Sequence, residues 1–376
     1  MKTNKTLKVM SIFGTRPEAI KMCPLILEME KNPLIESVVC LTGQHKEMLK
    51  QVMDVFPVTV KYHLDIMQPC QTLTAITASI LNAVDHVLDT EQPDLILVHG
   101  DTTTSFTAAL AAFYKKIPVG HVEAGLRTYD KYSPYPEEMN RNLTSKIAEL
   151  HFCPTEKNKA NLLLENISTN IFVTGNTVID AFQTTVKPAY QFKNATLKTI
   201  DINKSNCVLI TVHRRENIGQ PLVNICQAIK KLAEKYTNLS FVYPVHLNPA
   251  VQEIVTRELA NISNVYLIEP LDVEDMHNII NRSFFVMTDS GGLQEEAPSC
   301  GVPVLVVRSE TERPEAVQAG TVKVIGTNTQ DIITQATSLI EDNSVYDAMS
   351  KAANPYGDGH ASERIIEAIL RWYFND

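Results

Sequence analysis

Between His99 and Arg141 the sequence HGDTTTSFTAALAAFYKKIPVGHVEAGLRTYDKYSPYPEEMNR places three acids, Asp101, Glu123 and Glu137, at or just after the ends of apolar runs. LILVHGD and IPVGHVEAG each read as a buried parallel strand that stops at a carboxylate. In an open α/β sheet the ligand crevice lies at the carboxyl ends of the strands. A carboxylate there is costly to desolvate alone, so a substrate, a charge or a proton is expected to share it. Three such acids point to proton transfer on a polar substrate. Helix capping is an equal contender for Asp101 alone, because the helical stretch TTTSFTAALAAFYKK follows it. It accounts far less well for all three.

Anion-binding groups form a second set. FGTRPEAIKM (13–22) reads as a tight strand-to-helix passage in which Gly14 permits close approach and Pro17 suits the first helical turn. Arg16 and Lys21 bring positive charge there, fit for a phosphate. A single glycine does not make a GxGxxG fingerprint, so no dinucleotide cofactor is expected. In TDSGGLQEEAP (288–298), Asp289 and Ser290 end a strand, Gly291 and Gly292 allow close approach, and a helix begins. Backbone N–H groups and the Ser290 hydroxyl there suit a diphosphate, with Glu296 placed to accept from ribose hydroxyls. TVHRRENIG (211–219) ends a strand at His213, Arg214, Arg215 and Glu216. Beside two arginines His213 should be neutral until an anion binds, when its imidazolium would stabilise a leaving group. One of these arginines is expected to pair with Glu216. His246, also at a strand end, reads as a satisfied loop histidine, with a ligand contact as the alternative. Arg308 and Arg313 follow another strand. His99, His121 and His151 lack metal-ligand spacing, so no metal is expected.

These residues sit in a chain of alternating β-rich runs and longer amphipathic stretches, the pattern of α/β layers with parallel sheets. Strands are expected near 7–14, 37–43, 95–101, 117–125, 150–155 and 170–176, and again near 207–213, 240–246, 265–270, 284–290, 302–308 and 322–326. Leu73, Ile76, Ile80, Val84 and Val87 recur at helical spacing. A polar stretch from Ala189 to Asn206 is the linker candidate. The expected fold is therefore two Rossmann-like, doubly wound domains facing a central cleft. Residues 1–188 would carry the acids and 189–355 the nucleotide. A C-terminal helix over 356–376, with the only Trp, Trp372, would pack back on the first domain.

Bulk properties narrow the class. At 376 residues, two domains are the natural expectation. A net charge of −9 argues against nucleic-acid binding, which needs a basic face. No apolar run approaches the ~20 residues that span a bilayer. The start MKTNKTLKVMSIFG shows no signal-peptide pattern, and the seven cysteines form no CxxC. A cytoplasmic enzyme with reduced thiols is expected.

At these residues the chain resembles the non-hydrolysing UDP-N-acetylglucosamine 2-epimerases of bacteria. The resemblance runs nearly end to end through GTRPEAIKM, TGQHKEM, HGDTTTS, HVEAGLRT, YPEEMNR, TGNTVID, TVHRREN, TDSGGLQEEAP and TERPEA. It implies a glycosyltransferase-B-like fold, usually a homodimer, that interconverts UDP-N-acetylglucosamine and UDP-N-acetylmannosamine without nicotinamide or metal, in the service of surface polysaccharides. The reaction it implies eliminates UDP to an enzyme-bound 2-acetamidoglucal and adds it back with the proton on the other face of C2. By this resemblance Asp101, Glu123 and Glu137 handle protons and sugar hydroxyls. Asp101 ranks ahead of Glu123 as the base, with Glu137 re-protonating or orienting. His213 and Arg16 would stabilise the departing diphosphate and Lys21 would add charge. Ser290, Gly291, Gly292, Glu296 and Arg313 would hold phosphate and ribose.

Two departures from the family pattern concern binding. Met276 stands where relatives more often carry an aromatic near the uracil, so Leu271 and Met276 are candidates for base contacts. Cys70 stands where some substrate-activated relatives carry an arginine. Gln44 and His45 remain as candidate allosteric residues, and weaker activation by a second substrate molecule is expected. Three competing readings are a hydrolysing epimerase that releases UDP and N-acetylmannosamine, a glycosyltransferase of similar fold, and a non-catalytic nucleotide-sugar sensor.

Overall fold

A computed structural model describes residues 6–43, 46–67 and 71–374. Gln44, His45 and Cys70, which bear on activation, fall outside that set. The chain forms two units, Met1–Gln183 with Tyr356–Asp376, and Thr184–Pro355.

The first unit runs β1 (Leu7–Phe13), α1 (Arg16–Glu30), β2 (Ile35–Leu41), α2 (Lys46–Val55), β3 (Tyr62–His63), α3 (Leu73–Glu91), β4 (Leu95–His99), α4 (Thr103–Tyr114), β5 (Val119–Val122), α5 (Glu137–Ile147), β6 (Leu150–Cys153), α6 (Glu156–Leu164), β7 (Ile171–Val173) and α7 (Thr177–Thr185). Its sheet has the order β3-β2-β1-β4-β5-β6-β7, with every pair parallel. The central strands are buried on both faces, which is why they read as continuous apolar runs rather than alternating ones. The order reverses between β1 and β4, so the turns after these strands flank the switch point where such sheets bind ligands. Ile76, Ile80, Val84 and Val87 of α3 are buried as their spacing predicts, while Leu73, at the helix start, is 40% exposed.

The second unit repeats the plan with β8 (Cys207–Thr211), α8 (Gln220–Lys235), β9 (Ser240–Pro244), α9 (Pro249–Leu259), β10 (Val265–Ile268), α10 (Val273–Arg282), β11 (Phe285–Thr288), α11 (Leu293–Glu296), β12 (Val304–Val306), α12 (Pro314–Ala319), β13 (Val322–Val324), α13 (Thr329–Glu341) and α14 (Asn343–Ser350). Its order is β10-β9-β8-β11-β12-β13, again parallel, with its switch point between β8 and β11. The final helix, α15 (Ala361–Phe374), belongs to the first unit and packs along α1.

The polar run 189–206 has neither helix nor strand. It packs on α10, whose Asp275 carboxylate accepts from the Tyr190 hydroxyl and from the backbone N–H groups of Lys193 and Asn194, while Phe192 and Leu197 are buried. Six free cysteines are described, five of them buried, and burial pushes thiols such as Cys40 and Cys153 up to about 12, which leaves them unreactive. Among the described residues no helix is long and apolar enough to cross a membrane.

Candidate active site

The β1–α1 turn is built around a buried acid. Thr15 caps α1 in a capping box with Glu18. One Glu18 oxygen accepts the Gly14 and Thr15 N–H groups at 3.1 and 2.8 Å. The other accepts the Thr102 and Ser105 hydroxyls at 2.7 and 2.9 Å, so this carboxylate ties together the two turns at the switch point. Glu18 is only 2% exposed and plays this structural part. Arg16 opens α1, and Lys21 lies about one turn and a half further along the same helix.

Asp101 does not cap α4. Thr102 does, its hydroxyl accepting from the Ser105 N–H at 3.1 Å. The Asp101 carboxylate instead meets the Arg141 guanidinium at 2.6 Å, and the Asn140 side chain holds its backbone carbonyl at 2.9 Å. The Asp101 side chain keeps 32% of its surface open, yet protein crowds it. Burial, with Glu123 and Glu137 nearby, raises its carboxyl to about 6 against the opposing pull of Arg141 and Lys21.

Glu123 ends β5 in a left-handed conformation, φ 62°, a strained choice for a residue with a side chain and one that clusters at functional sites. Its Oε2 pairs closely with Lys21 Nζ and accepts from Asn176 Nδ2 at 2.8 Å. His99 Nε2 lies 3.7 Å from the same oxygen. Burial lowers His99 to about 4, outweighing the neighbouring Glu123, so the ring is neutral at pH 7. Glu137 comes from the N-terminus of α5 and not from a strand end, which corrects the placement expected from its sequence neighbours. It still lies near enough to Asp101 to raise that carboxyl. The next acid, Glu138, is 1% exposed and accepts the Thr128 and Tyr129 N–H groups, so only one of the pair is available for chemistry. The first unit thus gathers Lys21, Asp101, Glu123 and Glu137, and adds Arg141, Asn176 and His99.

In the second unit Asp289, fully buried, follows β11. Its Oδ2 accepts the backbone N–H groups of His213 and Arg214 and the Asn217 side chain, all within 2.9 Å. Its Oδ1 has no hydrogen-bond partner and lies 3.7 Å from His213 Nδ1, so this acid both shapes the 212–217 turn and backs the imidazole. The His213 pKa is lowered, first by burial and then by His246 and Arg214, with Asp289 opposing. Neutrality was expected from the two arginines, but desolvation leads. His246 accepts the Asn248 N–H at 3.1 Å through Nδ1, and its ring also stacks on His213 with centroids 5.3 Å apart and planes 8° from parallel. The expected pairing of an adjacent arginine with Glu216 is also overturned. Glu216 pairs with Arg308 at 2.7 Å, and Arg214 with Glu312 at 3.1 Å, because the turn after β12 folds against the turn after β8.

The Ser290–Gly292 turn lies beside these cations. A Cβ on Gly291 would stand 3.7 Å from an Arg214 nitrogen and 3.8 Å from an Arg313 nitrogen. Arg313 pairs with Glu295, 2% exposed, which fixes the guanidinium beside the turn. Gln294 accepts from the Thr311 hydroxyl at 2.5 Å and donates to the Ser290 carbonyl at 3.0 Å, locking the 308–313 loop onto the turn. Glu296 faces His277 of α10 across 3.8 Å, and the His277 ring also meets the Thr185 hydroxyl at 2.6 Å. Met276 lies on α10, the helix that carries His277, and Leu271, 6% exposed, lies just before the Asp272 cap of that helix. Ser290, Gly291, Gly292, Glu296, Arg313 and His213 gather in this unit. Arg214 and His246, both noted in the sequence beside the anion-binding set, join them, and so do Asp289 and His277, to which the sequence context assigns no ligand role.

The family model for UDP-N-acetylglucosamine 2-epimerase matches residues 27–370. This chain belongs to that family. A UDP-N-acetylglucosamine 2-epimerase of Bacillus subtilis is 52% identical over 371 residues, covering 98% of this chain and 96% of its own. The crystal structure of UDP-GlcNAc 2-epimerase from Neisseria meningitidis bound to UDP-GlcNAc is 51% identical with a TM-score of 0.86, covering 97% of this chain and 100% of that one. A co-structure of S. aureus MnaA with UDP is 50% identical with a TM-score of 0.87, covering 98% and 97%. The glycosyltransferase-B-like fold of two parallel-sheet domains is shared with these structures.

Proposed function

We propose that the protein interconverts UDP-N-acetylglucosamine and UDP-N-acetylmannosamine without net hydrolysis. The observation that carries this reading is Asp101: a carboxyl raised to about 6, beside two further acids and a guanidinium, is poised to exchange a proton near neutral pH. In the elimination Asp101 takes the C2 proton, the C1–O bond to the diphosphate breaks, and its electron pair leaves with the β-phosphate oxygen. The product is UDP and a 2-acetamidoglucal with a C1–C2 double bond. In the return step C2 is protonated on the opposite face, and the β-phosphate oxygen attacks C1. Glu123, anchored by Lys21, and Glu137 hold sugar hydroxyls and supply the second proton-transfer group. Arg16 and His213 meet the charge that develops on the leaving diphosphate. Ser290, Gly291, Gly292 and Arg313 hold the phosphates, Glu296 the ribose, and Leu271 and Met276 the uracil.

The test is NMR of UDP-N-acetylglucosamine in deuterated water with the purified protein. Deuterium at C2 with appearance of the manno epimer, and UDP only at trace level, is the expected result. Stoichiometric release of UDP and N-acetylmannosamine would replace the reading with the hydrolysing reaction. No exchange at C2 would refute epimerisation.

A further inference from the structure

Asn176 stands between β7 and α7, 3% exposed, and its groups do three different things. Its Oδ1 accepts the Val178 N–H at 3.1 Å, capping α7. Its Nδ2 donates to Glu123 Oε2 at 2.8 Å, reaching across 53 positions of sequence. Its backbone N–H donates to the Tyr356 carbonyl at 2.7 Å. Tyr356 is where the chain returns from the second unit to the first. The return is tight. Gly175 and Gly357 have φ of 88° and 117°, and a Cβ on either would stand within 3.2 Å of the other segment's backbone. Just beyond, Asp180 accepts the Ala361 and Ser362 N–H groups and Gln183 donates to the Asp358 carbonyl. The outgoing chain after Gln183 and the returning chain at Tyr356 are thus pinned to the same short stretch.

For capping alone, Asp serves as well as Asn at a helix N-terminus. What Asp lacks is a donor. Here the amide N–H is turned onto a carboxylate, where an Asp would place like charge on like.

We infer that Asn176 is a positioning residue for Glu123 in the epimerisation proposed above, on which this inference rests: its amide holds Oε2 beside Lys21 and ties that orientation to the returning chain at Tyr356. A lysine on a flexible stem balances the charge of Glu123 but does not fix its direction. A short amide anchored by its own backbone does, and proton transfer is sensitive to sub-ångström placement. The charged and titratable groups facing Glu123 include Lys21 from α1, His99 from β4 and Asp101 beyond it.

The experiment compares wild type with Asn176→Asp by C2 deuterium exchange, UDP affinity and thermal melting. Asn176→Asp keeps the α7 cap but replaces the donor with a like charge facing Glu123. It should lower kcat at least about tenfold, with UDP affinity and melting temperature unchanged. The acidic limb of its pH–rate profile should move to higher pH, because a carboxylate that loses a donor and gains an acidic neighbour is protonated more easily. If the aspartate lowers the melting temperature, Asn176→Ser, which caps α7 but is too short to reach Glu123, is read by the same criteria. An unchanged kcat and pH profile in the variant that folds normally would overturn the inference. So would a loss of UDP affinity parallel to the loss of kcat. Wild-type exchange is the control: its absence would speak against the reaction itself, and its presence alongside a fully active variant against Asn176 alone.

Discussion

Removing the charge of Arg141 should move the working pH range of the enzyme upward. Arg141, 6% exposed, contacts Asp101 at 2.6 Å and is the largest influence holding that carboxyl down, against burial and two neighbouring acids. Two unit charges about 4 Å apart attract by about 1 kcal/mol in water and about 4 kcal/mol at an effective dielectric of 20. With 32% of the Asp101 side chain open to solvent, an intermediate figure of roughly 1.5–3 kcal/mol applies, equivalent to about one to two pKa units. Arg141→Gln keeps the length and a donor but not the charge. Asp101 should then titrate near roughly 7–8 instead of about 6. The sign follows from its role: the base acts ionised, so the acidic limb of kcat/KM moves up and activity at pH 6 falls more than at pH 8.5. The assay is the pH profile of C2 deuterium exchange, with thermal melting to detect any loss from Glu138, which Arg141 also approaches at 3.5 Å. An acidic limb that stays in place or moves down would refute the assignment of Asp101 as the titrating base.

Other consequences can be checked in the same way. Asp101→Asn should lower turnover by about two orders of magnitude or more while leaving UDP affinity, measured by calorimetry, nearly intact. Intact turnover at saturation with lost UDP binding would reverse the division of labour. Ser290→Ala removes one hydroxyl from the anion turn and should weaken UDP binding by roughly ten- to a hundredfold, the worth of about 1.5–3 kcal/mol for a hydrogen bond to a charged group. Arg313→Ala should also weaken UDP binding, and it should lower the melting temperature as well, because Glu295, 2% exposed, loses its guanidinium partner. Finally, burial lowers His99 and His151 to about 4 and His121 to about 3. Depressed in the folded state, these groups contribute stability above pH 6.5 that is lost as pH falls toward 4, because the unfolded chain takes up protons first. The melting temperature should drop steadily across that window, and His121→Asn should flatten the drop.

The sequence by itself determined what is local. Apolar runs of strand length, amphipathic stretches of helix length and the Gly, Pro and Thr residues at their junctions specify the α/β alternation, since strand burial and capping act over a few residues. Acids and anion-binding groups at the ends of those runs were legible for the same reason: a parallel sheet delivers the residue after each strand to one edge. The same logic misled at Glu137, whose approach to Asp101 comes through a helix start. Only the tertiary structure decided which groups meet. Arg141 reaches Asp101 across 40 residues, Asn176 reaches Glu123 across 53, and Asp289 sits behind His213 from 76 positions away. No pattern near Glu216 announces that its partner is Arg308 rather than a neighbouring arginine. Pairing of charges and the pKa values that follow depend on distance and burial in space, and these are properties of strand order and packing that no short window of sequence contains.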